Sequence, residues 1–281
     1  MIPLIQYISS QLTDLYGEDE ARALAWWIAE ETTGLSRTQL LSGCKDTKNI
    51  PNLQTIIARL RNFEPIQYIF GHCLWSGLDL SVTPATLIPR PETAELVEKI
   101  STFRFPQSES RSPKSATPFR VLDIGTGSGC IAIALKKRHP EWSVSAMDVS
   151  AEALEVAKAN ARHNDAEIDF RQADILTETA ESIGHFDLVV SNPPYICESE
   201  KISMKPNVLD YEPASALFVP DNDPLLFYRR IAYLHSCKYL FFETNERFAD
   251  EIRNLLLQSG YSDIQISKDI YNKPRFVSAV L

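Results

Sequence analysis

No apolar run in this 281-residue sequence approaches the 18 residues that a membrane-crossing helix needs, and Met1-Ile2-Pro3-Leu4 carries no basic flank. Neither a membrane span nor a secretory leader is therefore expected. Cysteine is sparse, and Cys44, Cys73, Cys130, Cys197 and Cys237 form no C-x-x-C pair, which fits neither a disulfide framework nor a zinc site. Reduced thiols in the cytoplasm are the simplest reading. Basic residues are in deficit, with 28 Lys and Arg against 37 Asp and Glu for a net charge of -9. That balance argues against a nonspecific nucleic-acid surface, which needs clustered cations.

What is present supports a large core, since 44% of the residues are hydrophobic and the length favours two domains. Residues 1–65 carry helical periodicity, first at Ile5, Ile8, Leu12 and Leu15, then at Ala21, Leu24, Ala25 and Ile28 after the acidic Glu18-Asp19-Glu20. Ser36-Arg37-Thr38-Gln39 has capping-box form, Gly43 is a plausible stop, and Pro51 precedes the apolar face Leu53, Ile56, Ile57 and Leu60. A small helical domain is expected, acting either as a stabilising appendage or as a holder of a macromolecular substrate. In 66–90, Tyr68-Ile69-Phe70-Gly71-His72 and Trp75 to Val82 alternate aromatic and β-branched residues around glycines, as a linking β-hairpin would. Pro91 then opens a helix through Leu96, Val97 and Ile100, and the Ser/Pro-rich stretch between 105 and 118 reads as a flexible loop.

From Phe119 strands and helices alternate, which implies a mostly parallel sheet covered on both faces, with ligands at the carboxyl ends of its strands. Two final strands, Ile264 to Lys268 and Phe276 to Leu281, suggest an antiparallel hairpin at the sheet edge. Two turns then draw attention. Asp123-Ile124-Gly125-Thr126-Gly127-Ser128-Gly129 joins the first strand to the first helix of this region, where glycines allow close backbone approach to a ligand. A dinucleotide fingerprint is matched poorly, with Cys130 in the third glycine position, and a phosphate loop fails because the next lysine is Lys136. Asp148 ends the second strand and can either accept paired hydroxyl protons or cap the next helix, a task Ser150 could also perform. Asp174 and Ile175 follow the third strand. Ser191-Asn192-Pro193-Pro194-Tyr195-Ile196 follows the apolar run Phe186 to Val190, and is either a strand-ending turn or a rigid lip of hydrogen-bond acceptors. The lip has no nucleophile, base or metal ligand, so it suits a group that offers N–H donors.

The D-x-G-x-G-x-G spacing resembles the first motif of class I S-adenosylmethionine-dependent methyltransferases. With N-P-P-Y after the fourth strand it resembles amino-methyltransferases that act on a nitrogen conjugated to a carbonyl or ring. Four motifs in order, Leu87 to Thr93, Gly125 to Ala132, Asn192 to Ile196 and Tyr211 to Leu217, resemble the HemK/PrmC family of release factor glutamine methyltransferases. The resemblance covers nearly the whole chain. It implies an α/β fold with a Rossmann-like seven-stranded sheet, mostly parallel with an antiparallel C-terminal strand, over 91–281. It implies methyl transfer from S-adenosylmethionine, leaving S-adenosylhomocysteine, to the glutamine side-chain amide in the Gly-Gly-Gln motif of class I peptide chain release factors. Under it Gly125, Thr126, Gly127, Ser128, Gly129, Asp148, Asp174, Ile175 and Asn192 contact the cofactor, Asp148 at the ribose and Asp174 with Ile175 at the adenine. Asn192 and the Pro193 carbonyl take the substrate N–H bonds, Pro194 and Tyr195 complete the substrate pocket with Tyr195 packed on the flat amide, and Asn192, Pro193 and Tyr195 carry the catalysis. The helical 1–65 becomes a substrate-recruitment domain. A cytoplasmic monomer is expected, with no metal, membrane or direct nucleic-acid partner. A ribosomal-protein glutamine methyltransferase and a nucleic-acid amine methyltransferase are the alternatives. Departures from the family pattern fall at Ala94, at Asp223-Pro224-Leu225, and in 243–248 and 269–275.

Overall fold

A computed structural model describes residues 3–42, 50–105 and 118–281. The stop expected at Gly43 and the Ser/Pro-rich loop lie outside the described residues. The chain divides into two compact units, Met1–Gly71 with Lys205–Tyr211 and His72–Met204 with Glu212–Leu281. The first division thus falls after Gly71, not at residue 65.

The first unit is helical, with α1 (Pro3–Ser10), α2 (Thr13–Tyr16), α3 (Glu18–Thr33), α4 (Arg37–Leu41), α5 (Leu53–Arg61) and α6 (Ile66–Phe70). Ile5, Ile8, Leu12, Ala25 and Ile28 are fully buried, each larger side chain contributing about 1.5–3 kcal/mol relative to exposure. Leu15 is exposed, contrary to the periodicity. The helix breaks after Ser10, the chain restarts at Thr13, and the new turn rotates Leu15 out of phase. The capping box before α4 forms as expected, Ser36 accepting from the Gln39 N–H and Gln39 from the Ser36 N–H. Helix α5 starts at Leu53 behind a left-handed Asn52, two residues later than Pro51 suggested.

Residues 66–70 are helix, not the first arm of a hairpin. Pro65 presets the entry, Gly71 takes the left-handed cap at φ 79°, and Ile66, Ile69 and Phe70 meet the core at i, i+3, i+4 spacing. Helical spacing therefore outweighs β-rich composition. The hairpin is confined to β1 (His72–Trp75) and β2 (Leu78–Ser81), joined by Ser76 and Gly77 at φ 49° and 79°, the signs a tight two-residue turn demands. It belongs to the second unit.

The remaining strands are β3 (Arg120–Ile124), β4 (Ser143–Asp148), β5 (Asp169–Gln172), β6 (Phe186–Ser191), β7 (Ile196–Cys197), β8 (Phe218–Val219), β9 (Cys237–Glu243), β10 (Ser262–Lys268) and β11 (Pro274–Val280). Seven of them form one sheet in the order β10-β11-β9-β6-β3-β4-β5. Ladders from β9 to β5 are parallel, whereas β11 runs antiparallel to both β9 and β10. The expected edge hairpin is present, with β11 inserted and β10 outermost. Helices α7 (Pro91–Thr102), α8 (Cys130–Arg138) and α9 (Ala151–His163) pack together and onto the sheet, and Leu226–Tyr233 with Ala249–Gln258 shares a core with Leu122, Leu240 and Phe242. Burial on both faces explains why β3 and β6 read as continuous apolar runs rather than alternating ones. The hairpin is clasped to α9 by Asn160, whose amide exchanges hydrogen bonds with Ser81 N–H and C=O at 2.7 and 2.9 Å. Among the described residues, no helix is long and apolar enough to cross a membrane.

Candidate active site

The strand order reverses between β3 and β6, which opens a crevice at the carboxyl ends of the central strands. The glycine loop leaves β3 there. Gly125 and Thr126 both donate to the Met147 carbonyl, at 2.9 and 3.0 Å, which ties the loop to β4. Gly125, Gly127 and Gly129 all sit at positive φ, which L side chains rarely adopt. A Cβ on Gly125 or Gly127 would meet nothing within 4 Å, so these two present bare backbone to open space. Gly129 is a packing glycine, because its Cβ would lie 3.1 Å from Ile133 Cδ1 and 3.2 Å from Ala157 Cβ.

Asp148, at the end of β4, grips this loop. Its Oδ2 accepts the Gly127 N–H at 2.8 Å and its Oδ1 the Ser150 N–H at 3.0 Å. Ser150 performs the helix cap, accepting the Ala153 N–H at 3.0 Å, so Asp148 is released from that role. A carboxylate has about four acceptor sites, so two remain for a ligand's hydroxyls. Beneath the loop, buried Asp123 accepts from Thr126 Oγ1 at 2.6 Å. Burial pushes its carboxyl up to about 7, against the opposing pull of that hydrogen bond.

A cavity of about 840 Å³, its open mouth included, runs along these strand ends. Gly125, Gly127, Asp148, Asp174, Ile175, Asn192, Pro193 and Pro194 line it. Asp174 Oδ1 also accepts the Leu176 N–H at 2.9 Å, so this side chain shapes its own turn as it faces the cavity. Thr126, Ser128 and Gly129 do not line it. Thr126 and Ser128 are buried within the loop, and Gly129 serves the contact of α8 with α9.

The lip follows β6 and is braced from beneath. Ser191 Oγ donates to the Ile124 carbonyl at 2.7 Å, joining the two strand ends. Asn192 Nδ2 donates to Thr93 Oγ1 at 3.2 Å, Thr93 Oγ1 to Glu243 Oε2 at 2.8 Å, and Tyr195 Oη to Glu243 Oε1 at 3.3 Å. Glu243 ends β9 and is buried, and burial pushes its carboxyl up to about 7. Tyr195 therefore lies otherwise than the resemblance implied. Its ring packs against the core and its hydroxyl meets Glu243, whereas the cavity wall is made by Asn192, Pro193 and Pro194.

Sequence reasoning missed Thr93 and Glu243 as partners of the lip, and Ala85, Thr86, Val149 and Phe227 as cavity wall. Leu87 and Pro213, also in the wall, belong to ordered motifs that carried the resemblance. The signal for that wall was present, but spacing alone could not place it.

The hMettl16 catalytic domain, solved in complex with the MAT2A 3'UTR hairpin 6, matches with a TM-score of 0.54 at 16% identity, over 73% of this chain and 76% of that one. That likeness concerns fold alone. Residues 112–208 match the methyltransferase small domain and residues 3–71 the PrmC N-terminal domain. The protein is thus a methyltransferase of the class I, Rossmann-like type. Proteins named release factor glutamine methyltransferase are 41% identical over 97% of both chains in Bacteroides thetaiotaomicron, and 42% identical over 95% of this chain and 94% of the other in Flavobacterium psychrophilum. The chain belongs to the release factor glutamine methyltransferase (HemK/PrmC) family.

Proposed function

We propose that this enzyme methylates the side-chain amide nitrogen (N5) of the glutamine in the Gly-Gly-Gln motif of class I peptide chain release factors. The observation that carries the reading is one continuous cavity lined by Gly125, Gly127 and Asp148 and also by Asn192 and Pro193. A donor pocket and an acceptor lip open into each other.

The lining suits S-adenosylmethionine. Gly125 and Gly127 give a side-chain-free cradle, Asp148 has acceptor capacity for two ribose hydroxyls, and Asp174 with Ile175 offers a polar edge and an apolar face to the adenine. When bound, this cofactor supplies an electrophilic methyl on a sulfonium. The chain's own task is to present a poor nucleophile, since the lone pair of an amide nitrogen is delocalised into its carbonyl. The Asn192 Oδ1 and Pro193 carbonyl accept its two N–H bonds, which orients the nitrogen and favours pyramidalisation. Their dipoles then face the positive charge growing on nitrogen. Pro194 fixes the backbone of the lip, and Tyr195 buttresses it through Glu243. The reading needs no metal. Residues 3–71, which match the PrmC N-terminal domain, dock the release factor, and a partner that works in translation supports a cytoplasmic reaction.

The test is mass spectrometry of the Gly-Gly-Gln peptide from purified release factor after incubation with this protein and S-adenosylmethionine. One added methyl on glutamine is expected. No methyl there, or label appearing only in ribosomal proteins, overturns the reading.

A further inference from the structure

The groups beneath the lip form a directed chain of hydrogen bonds. A carboxylate only accepts, so Thr93, 2.8 Å from Glu243 Oε2, spends its single O–H on Glu243. Lone-pair density remains at Thr93 Oγ1, and only the NH2 end of Asn192 satisfies it, at 3.2 Å. The other end of the same planar amide, Oδ1, is thereby left for the cavity that Asn192 lines.

We propose that buried Glu243, acting through Thr93, is the positioning residue that dictates which end of the Asn192 amide meets the substrate nitrogen. The proposal rests on the reading of Asn192 as the acceptor of the substrate's N–H. Remove the acceptor at Glu243, and the Thr93 hydroxyl is able to rotate and donate to Asn192 Oδ1 instead. The amide then turns its NH2 to the substrate, donor against donor, with no backbone change. Tyr195 reports to the same carboxylate from the far end of the lip, so one group holds both side chains.

Several groups surround that carboxylate. Thr93 and Glu92 face it from α7, Arg275 from β11, Tyr228 from the helix behind the sheet, and Tyr195 from the lip. Arg275 is shared with buried Asp269 at 3.2 Å, and Arg90 acts on Tyr195. Burial outweighs Arg275 and the Thr93 and Tyr195 hydrogen bonds and sets the carboxyl near 7, so both protonation states are populated around neutrality. Ionised Glu243 keeps Asn192 in the productive orientation, and turnover therefore rises with pH through that region and levels above it.

The experiment compares wild type with Glu243→Gln, Thr93→Val and Thr93→Ser, measuring kcat and KM on release factor against pH. It also follows S-adenosylhomocysteine binding by calorimetry and the Asn192 side-chain NH2 resonances by nitrogen-15 NMR without substrate. Thr93→Val is expected to lose about a hundredfold in kcat, as a misplaced reacting group does, with KM and cofactor affinity held within a few fold, whereas Glu243→Gln keeps one acceptor oxygen for Thr93 and is expected to hold kcat while losing its pH dependence. Both lose the acid limb of the pH profile, and Thr93→Ser restores it. The Asn192 resonances shift with a midpoint near 7 in wild type and not in Glu243→Gln. A folded, cofactor-binding Thr93→Val with wild-type kcat, or a Glu243→Gln that keeps the acid limb, overturns the proposal, as do Asn192 resonances indifferent to pH in wild type. Absence of glutamine methylation by the wild type instead overturns the proposed function, and the NMR arm still judges Glu243.

Discussion

Arg90 donates through Nη2 to Oε1 of Glu212 at 2.6 Å, and Oε2 of the same carboxylate accepts the Ile88 N–H at 3.3 Å. The Glu212 side chain is 1% exposed, so this is a buried charge with a half-exposed partner. Two segments 122 residues apart are joined, and each continues into the cavity wall, at Leu87 and at Pro213. Glu212→Ala strands the Arg90 guanidinium and a buried N–H. The expected cost is at the low end of about 3–5 kcal/mol because Arg90 keeps some solvent. In thermal melts that is a fall of roughly 6–12 °C for a unit of this size, and S-adenosylhomocysteine binding weakens with it. An unchanged Tm would show the pair to be ornamental.

Asn192→Ala removes the acceptor from the lip but leaves the glycine loop and Asp148 intact. Transition-state stabilisation is expected to drop by about 2.7–4 kcal/mol, a loss of roughly 10²–10³ in kcat, by analogy with removing one preorganised hydrogen-bonding group. Cofactor affinity, read by calorimetry, moves little. Turnover near wild type would reduce the lip to a chain turn.

Asp148 accepts two backbone N–H groups, so Asp148→Asn faces one of them with an NH2 and cannot satisfy both. Losing a charge-assisted bond costs about 1.5–3 kcal/mol. The dissociation constant for S-adenosylhomocysteine is expected to rise by roughly ten- to a hundredfold, and an unaltered value by calorimetry removes Asp148 from cofactor binding.

Burial raises the Asp123 carboxyl from 3.8 to about 7. The folded state therefore binds a proton over a pH range where the unfolded chain has released it. Stability from this group is full below about 4, is lost as pH rises towards 7, and changes no further above it. Glu243 acts in the same direction. Asp123→Asn, which stays neutral throughout, should flatten the decline of Tm between pH 5 and 7.5 relative to wild type. Parallel curves for the two proteins would mean that Asp123 does not titrate in this window.

Local rules carried the sequence a long way. The alternation after Phe119, the capping box at Ser36 and the left-handed glycines of 125–129 each express a constraint contained within a few residues. Composition misled where spacing ruled, as in Ile66–Phe70, whose β-rich letters sit on a helix because Pro65 and Gly71 bracket one turn and its apolar positions recur at i+3 and i+4. Leu15 was misread because periodicity is blind to a break in phase. The Thr93–Glu243 bond spans 150 residues, and nothing near either residue announces the other. Tyr195 belongs to the same class of surprise, since its place was decided by a carboxylate on another strand.

The strand order has a kinetic corollary. Ser191 meets Ile124 across 67 residues of chain, and neighbouring ladders likewise join segments that are remote in sequence. Such closures pay their loop entropy before any contact rewards them, so the central sheet must form late and slowly relative to its helices. Glycine loop, Asp148 and Asn192 stand on three different strands of that sheet. In refolding from denaturant, helical ellipticity should therefore return well ahead of cofactor binding, which can appear only with the slowest phase.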